Sequence, residues 1–231
     1  FKLADADLRF VFLTGVTKFA QVSVFSGFNN ARDISMNPRF DTICGISREE
    51  LNNVFASSIE ELANTNMLSV EEAKSQLQQR YDGYHFSNGM TDIYNPFSLL
   101  NAFADDNIRD YWFASGTPSY LMRLLAHSKE DIQGIIARSY EAQEFVDYRA
   151  TVEAPVPMIY QSGYLTIKGY NREDDEYKLD FPNHEVASGF LTLLASGYFQ
   201  TPTQPNSWTN KLKKALHHGN PEDFRDLLND F

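Results

Sequence analysis

Residues 81–96 read YDGYHFSNGMTDIYNP, a turn-rich and aromatic segment between two stretches of helical periodicity. The segment closes with Asn95-Pro96. Asparagine is favoured at the N-cap of a helix and proline at its first position. A helix is therefore expected to start at this dipeptide and to run through Phe103.

Two capping boxes precede this segment. Ser47 is followed three residues later by Glu50, and Ser69 in the same way by Glu72. Each pattern predicts a helix start, the first with apolar residues at helical spacing behind it and the second leading a helix over about residues 70–80. Further start signals recur downstream, at Thr117-Pro118 and at Ser128 with Asp131. We expect a bundle of about five helices over residues 47–138.

The pattern changes further along the chain. Residues 164–169 and 177–181 alternate in polarity around a charged turn, which predicts a β-hairpin. Gly163 is expected to stop a short apolar helix before the hairpin, and Asn183 to cap a helix after it. A hairpin between two helices has the anatomy of a winged-helix-like unit. Residues 200–207, QTPTQPNS, are expected to be a linker.

Near the start of the chain, residues 9–14 (RFVFLT) form an apolar run closed by Gly15, which predicts a buried strand of a parallel sheet. Thr14 would lie at the carboxyl end of that strand, where open α/β sheets bind ligands, and Lys18 follows four residues later. A hydroxyl with a cation just beyond it suits a γ-phosphate or its attacking water. The alternative is that Thr14 only caps a turn. The fold class expected from these patterns is mainly α with minor β.

The composition is that of an acidic folded chain, with 231 residues, a net charge of −11 and 42% hydrophobic residues. This hydrophobic content excludes an intrinsically disordered chain, and a lone cysteine, Cys44, excludes an internal disulfide framework. No apolar run approaches the roughly 18–20 residues that span a bilayer. The negative charge disfavours non-specific binding to nucleic acid. A local basic cluster nevertheless stands near the C-terminus: Lys211, Lys213, Lys214, His217 and His218.

Familiar catalytic motifs are absent from the sequence. It contains no P-loop, no GxGxxG, no GxSxG, no HExxH and no cysteine or histidine spacing suited to zinc. Asp82 and His85 in YDGYHF are close enough in sequence to form an acid/base dyad. The alternative for this pair is a tight turn held by hydrogen bonds and aromatic packing.

Several strings occur in a fixed order along the chain: FVFLTGVTKFAQVSVFSGFNNARDIS, ICGISREEL, YDGYHF, IYNPFSLL, YWFASGTPSYL, YQSGYLTIKGY and LDFPNHEV. Together they closely resemble the AAA-ATPase-like proteins abundant in gut Bacteroidetes. In that family a P-loop ATPase domain precedes a domain similar to PD-(D/E)XK nucleases. The resemblance covers almost all of residues 8–200.

The resemblance implies four segments. Residues 1–45 would be the C-terminal end of the ATPase-like core, 46–150 a helical lid, and 151–200 the winged-helix-like unit. Residues 201–231 would be a linker and the opening helices of the nuclease-like domain. The Walker A and Walker B segments of the family would precede Phe1, and its nuclease ligands would follow residue 231. We therefore expect this span to lack both active centres.

Two residues acquire nucleotide-related roles from the resemblance. Thr14 would take the sensor-1 position, and Arg80 would reach the nucleotide as a sensor-2-like arginine. Lys18 is a candidate nucleotide contact from its place beyond the strand tip alone. The alternative for Arg80 is an interaction with the dipole at the end of its helix. The implied cofactors are ATP and Mg²⁺ in a longer protein. Neither is expected to bind this span tightly, because the phosphate cradle lies outside it, and no metal ligands are expected within it.

The function implied is that of a lid and connecting region in a cytoplasmic AAA-type ATPase-like protein with a nuclease-like partner domain. AAA-type ATPases often assemble into rings, so the resemblance leaves a homo-oligomer open. The alternative is a non-catalytic module whose winged-helix-like unit binds DNA or another protein. No membrane partner is expected.

Overall fold

A computed structural model describes the chain at residues 7, 9–15, 32–112, 128, 132–146 and 155–198. Within these residues the protein is mainly helical with two small antiparallel sheets, as expected for a mainly α chain with minor β. The chain divides into two compact units, Phe1–Ala187 and Ser188–Phe231. In the described part of the chain, no helix combines the length and apolar character needed to cross a membrane.

Four helices make up the first half of the described structure: α1 (Arg48–Val54), α2 (Ala56–Thr65), α3 (Val70–Tyr81) and α4 (Pro96–Ala104). Both predicted capping boxes are formed, at Ser47 with Glu50 and at Ser69 with Glu72. Asn95 also caps α4 as predicted, because its Oδ1 accepts from the backbone N–H of Phe97 at 3.0 Å. These starts depend only on residues within the first turn, which is why the sequence reveals them.

The first capping box begins a shorter helix than the periodicity suggested. Phe55 leaves helical geometry with φ −106° and ψ 17°, so α1 ends at Val54 and α2 begins at Ala56. The apolar stripe restarts at this break. Val54 is consequently 67% exposed, whereas Leu51 and Ile59 are buried.

The four helices bury one shared apolar core. Tyr81 at the end of α3 is fully buried, and its hydroxyl both donates to Arg109 O at 2.7 Å and accepts from Arg109 N at 3.0 Å. Its polar atom is thereby satisfied inside the core, as a buried tyrosine requires. The other buried core residues are Leu51, Ile59, Leu62, Ala63, Ala73, Leu77, Tyr94, Leu99, Ala102 and Tyr111.

Two small sheets join distant parts of the chain. The first pairs β1 (Ile46–Ser47) with β2 (Ile93–Tyr94). The second has the strand order β3-β5-β4, with all neighbours antiparallel. Its strands are β3 (Ser139–Tyr140), β4 (Thr166–Asn171) and β5 (Glu176–Asp180). The predicted hairpin is therefore confirmed, with its solvated turn at residues 172–175.

Four more helices surround the second sheet in sequence: α5 (Ile132–Ala137), α6 (Ala142–Val146), α7 (Val156–Gln161) and α8 (His184–Tyr198). Helix α7 ends as predicted before Gly163, which has φ +80°, and Asn183 Oδ1 accepts from Val186 N at 3.1 Å at the start of α8. Phe145 on α6 packs edge-on against Tyr160 and Tyr177, with ring centroids 4.7 and 5.5 Å apart.

The second sheet contains strands from both sides of the predicted boundary at residue 150. Strand β3 lies before that boundary and the hairpin after it, yet β3 pairs with β5 through Ser139–Lys178 and Tyr140–Tyr177. The three boundaries between the four segments stay predictions, and the pairing shows that strands from either side of residue 150 form one sheet.

The predicted strand at residues 9–14 is not observed. Residues 10–15 have no regular structure, and Phe10 is 82% exposed. A strand needs a hydrogen-bonded neighbour, and none of the described strands pairs with this run. The predicted helix start at Thr117-Pro118 and the predicted linker and opening helices at residues 200–231 lie outside the described residues.

We expect Ser69→Ala to lower the free energy of unfolding by about 1 kcal/mol, the usual effect of losing an N-cap side chain. Ser69 Oγ accepts from Glu72 N at 3.2 Å, and this bond would be lost. Urea denaturation followed by circular dichroism measures the change. Ser75→Ala, an exposed position inside the same helix, is the control and should be neutral or slightly stabilising. Equal losses for the two variants would contradict the capping role.

Candidate functional site

Residues 82–92, which connect α3 to β2, form a compact loop. Asp82 leaves the helix in an extended conformation and Gly83 follows with φ +99°. Tyr84 then pairs with Ile93 through two backbone hydrogen bonds of 3.2 and 3.1 Å. This bridge closes the loop at its base. It projects residues 85–92 toward the hairpin.

Polar side chains from three parts of the chain meet where this loop touches strand β4. We call this cluster the loop–hairpin joint. It comprises one residue of α1, three of the loop and two of β4: Arg48, Asp82, His85, Asp92, Thr166 and Lys168.

His85 is bound to the edge strand β4 through side-chain hydrogen bonds. Its backbone N–H donates to Thr166 Oγ1 at 2.8 Å, and the same hydroxyl donates to His85 O at 2.8 Å. The ring Nδ1 lies 2.7 Å from Ile167 O, and Nε2 lies 2.8 Å from Asp92 Oδ1. The ring thus covers one backbone carbonyl of a strand edge that would otherwise be open to pairing.

Arg48 links the joint to the helical part of the protein. Its Nη2 lies 3.2 Å from Asp82 Oδ2 and 2.9 Å from Asp92 Oδ2. Asp82 is 3% exposed, and burial raises the pKa of its carboxyl, while hydrogen bonds from Gly83 N and from Arg48 partly oppose this shift. The bond to Asp82 is in turn the main reason why the pKa of Arg48 is raised.

Lys168 links strand β4 to the turn at Gly83. Its Nζ donates to Gly83 O at 2.7 Å and to Pro182 O at 2.9 Å. Burial lowers the pKa of this amine, with nearby carboxylates acting in the opposite direction. A cation that bonds two backbone carbonyls serves to position the backbone, and here it connects the loop, β4 and Pro182, which lies two residues before α8 begins.

The joint corrects the suggested pairing of Asp82 with His85. Asp82 bonds Arg48 and Gly83 N, whereas the carboxylate that contacts the His85 ring is Asp92. Both ring nitrogens of His85 are engaged, so neither is free to act as a general base. The turn held by hydrogen bonds is therefore the reading that agrees with the geometry. Within the described ranges, no group of three or more His, Cys, Asp or Glu is placed to hold a metal ion.

The predicted nucleotide residues are placed separately from the joint. Thr14 is exposed and lies in a segment without regular structure. Lys18 lies outside the described residues. Arg80 is in the last turn of α3, and its Nη1 forms an ion pair with Asp110 Oδ1 at 2.6 Å. The structure does not bring Thr14 and Arg80 into a common hydrogen-bonded cluster.

A second polar cluster, which the sequence did not predict, surrounds Glu185. Glu185, in the first turn of α8, is fully buried. Its Oε2 accepts from Ser98 Oγ at 2.7 Å, and its Oε1 accepts from the backbone N–H groups of Tyr111 and Trp112. We call this the Glu185 clasp. Burial raises the pKa of the Glu185 carboxyl, and the three hydrogen bonds oppose that effect.

Most residues of the joint were not singled out from the sequence. Arg48 reads as the first residue of a helix, Asp92 as part of a polar turn and Lys168 as the outward position of a strand. The only local signal was the concentration of aspartate, glycine and histidine in YDGYHF. It pointed to the right segment but to the wrong carboxylate.

Asp82→Asn is expected to change how stability depends on pH. Because the folded state raises the pKa of Asp82, it binds this proton more tightly than the unfolded chain, whose value is near 3.8. The wild type should therefore lose stability from this group as pH rises above that value, and Asp82→Asn should not. Urea denaturation across the acidic range measures the difference. Glu60→Gln, at an exposed position of α2, controls for the loss of one negative charge. Parallel pH profiles for wild type and Asp82→Asn would contradict this expectation.

Comparison with known proteins found a similar protein that is longer than this chain. No protein-family model matches it, and no solved structure does. The chain is 32% identical over 220 residues to a protein of Azotobacter chroococcum mcd 1 that is described as an uncharacterised protein in the vnfD 5′ region. The match covers 93% of this chain and 40% of the relative. The chain thus spans less than half the length of that protein.

Proposed function

We propose that this chain is the lid and connecting region of a longer, cytoplasmic AAA-type ATPase-like protein with a PD-(D/E)XK nuclease-like partner domain. In this proposal the span has no catalytic centre of its own. It couples the position of helices α1–α4 to the position of the hairpin formed by β4 and β5. The observation that carries the proposal is the loop–hairpin joint.

The joint supports a connecting role because its polar groups bind backbone and one another. Lys168 bonds two carbonyls, and His85 bonds a carbonyl, a hydroxyl and a carboxylate. Arg48 joins the two carboxylates of the loop. Such a fully connected polar network fixes one arrangement of the elements that it joins. YDGYHF, which supplies Asp82 and His85, is also one of the strings that carry the resemblance.

The described residues do not by themselves fit a nucleotide. Arg80 is engaged by Asp110 at 2.6 Å, and a phosphate would have to displace that carboxylate. Thr14 is exposed without a neighbouring strand among the described residues. ATP and Mg²⁺ are therefore proposed as ligands of the longer protein, with the phosphate cradle supplied from outside this span.

Calorimetric titration of ATP and Mg²⁺ into the 231-residue chain tests the absence of a nucleotide site. We expect no binding, with any dissociation constant above about 1 mM, the value that corresponds to about −4 kcal/mol. A micromolar dissociation constant would overturn the proposal that this span lacks a catalytic centre.

The roles of Arg80 and Thr14 are tested in the longer protein that carries this span. If Arg80 contacts the nucleotide, Arg80→Ala should weaken ATP affinity about tenfold or more, the loss expected for one charge-assisted hydrogen bond. Thr14→Ala should lower turnover if its hydroxyl acts near the γ-phosphate. Arg172→Ala, on the exposed hairpin turn, is the matched control. Unchanged affinity and turnover would remove these residues from the proposal.

The alternative is a non-catalytic interaction module built on the hairpin. The turn at residues 172–175 carries Arg172 beside three exposed acids, Glu173, Asp174 and Asp175. This charge favours docking to a protein over docking to DNA. Fluorescence anisotropy with a labelled duplex at low salt distinguishes the two, and tight salt-sensitive binding would favour DNA. The basic cluster at residues 211–218 lies outside the described residues.

A further inference from the structure

The His85 ring lies between two hydrogen-bond acceptors. Nδ1 is 2.7 Å from the carbonyl oxygen of Ile167, and Nε2 is 2.8 Å from a carboxylate oxygen of Asp92. His85 is only 7% exposed, and its contact with Ile167 O is buried, so water has little room to replace that carbonyl. A backbone carbonyl has no hydrogen to give. An ionised carboxylate has none either.

The hydrogen count therefore requires a proton on each ring nitrogen. With a single ring proton, one of the two short contacts would bring two lone pairs together unless Asp92 carried the proton instead. Arg48 opposes that alternative, because its Nη2 donates to Asp92 Oδ2 at 2.9 Å and favours the ionised carboxylate.

We propose that the loop–hairpin joint is a pH-sensitive latch, closed when His85 carries both ring protons and loosened when it loses one. The ring in its closed form donates to Asp92 in the loop and to Ile167 O on β4 at the same time. Loss of one proton leaves one of these acceptors without a donor. The loop then separates from the edge of β4 on the side of the ring, while the Lys168 contacts to Gly83 O and Pro182 O persist.

The charges around the ring come from three elements. Helix α1 supplies Arg48, the loop supplies Asp82 and Asp92, and β4 supplies Lys168. Two cations and two carboxylates balance before the ring is counted. Protonated His85 adds one positive charge to a chain with a net charge of −11, whose overall field favours cations.

The sign of the pH effect follows from this arrangement. The closed joint binds one more proton than the open one, so lowering the pH favours closure and raising the pH loosens the joint. The latch is independent of the proposed lid function, because it concerns only contacts within the first compact unit.

Nitrogen-15 NMR of the 231-residue chain tests the protonation directly. At about pH 5.5 both ring nitrogens of His85 should have the shifts of protonated nitrogens. His85→Gln assigns the signals, and His184, an exposed histidine at the start of α8, is the internal control. A neutral His85 ring with one bare nitrogen at this pH would overturn the proposal.

Hydrogen exchange tests whether the latch opens. The His85 amide, bonded to Thr166 Oγ1, should lose about tenfold in protection factor between about pH 5.5 and pH 8, the effect expected for one bond to a charged group. Asp92→Asn is the decisive variant, since its amide N–H can donate to the bare Nε2 of a neutral ring. It should keep the joint closed and abolish the pH dependence. A pH dependence equal to that of the wild type in Asp92→Asn would contradict the latch.

Discussion

Replacing Glu185 by alanine is expected to lower the free energy of unfolding by about 3 kcal/mol, because one buried and one partly buried backbone N–H group lose their acceptor at about 1–3 kcal/mol each. These are the N–H groups of Tyr111 and Trp112, and Ser98 Oγ loses its acceptor as well. Glu185 is fully buried, so its carboxylate is shielded from bulk water in the folded protein. Urea denaturation followed by circular dichroism measures the loss.

Glu185→Gln is the matched control for this prediction. Its Oε1 can still accept from both backbone N–H groups, and its Nε2 can donate to Ser98 Oγ. The expected loss is therefore small, about 1 kcal/mol or less. If Glu185→Ala cost no more than Glu185→Gln, the clasp would not contribute to stability.

The free energies of unfolding of the wild type and of Glu185→Gln should also depend differently on pH. Burial raises the pKa of Glu185 in the folded state above its ordinary value of 4.5, so the folded protein holds this proton more tightly than the unfolded chain. The wild type is expected to lose stability from this group as pH rises above that value. Glu185→Gln cannot titrate and should not share the loss.

The second large effect is expected for Gly83→Ala, which should lower the free energy of unfolding by about 3 kcal/mol through backbone strain and overlap together. Gly83 has φ +99°, a conformation that alanine rarely adopts. A Cβ there would lie 2.4 Å from Pro182 O and 2.8 Å from Lys168 Nζ. Because one of these atoms belongs to the backbone, a side-chain rotation cannot relieve the overlap.

Gly169→Ala is the matched control on the adjacent strand. The nearest atom to its Cβ would be Lys178 Cβ at 3.5 Å, an ordinary van der Waals contact. We expect a change within about 1 kcal/mol of the wild type. Thermal or urea denaturation of the two variants distinguishes them. Similar stabilities for both would show that the turn at Gly83 tolerates a side chain.

The predictions from sequence succeeded where a structure depends on neighbouring residues. The capping boxes at Ser47 and Ser69 and the cap at Asn95 form as expected, because a cap is completed within three residues of chain. The hairpin also forms as expected, since alternation and a polar turn define it locally. Residues 9–14 differ, because an apolar run indicates a preference for burial but does not supply the strand that would pair with it.

The helix starts, the hairpin and the mainly α character of the chain follow from local patterns of residues, and YDGYHF stands out from the same patterns. The long-range pairs do not. Arg48 meets Asp82 across 34 positions, Lys168 meets Gly83 across 85, and Glu185 meets Ser98 across 87. Such a pair forms only when the intervening chain folds back. That return is paid for by the packing of the whole core, so no local pattern specifies which charged residue becomes the partner.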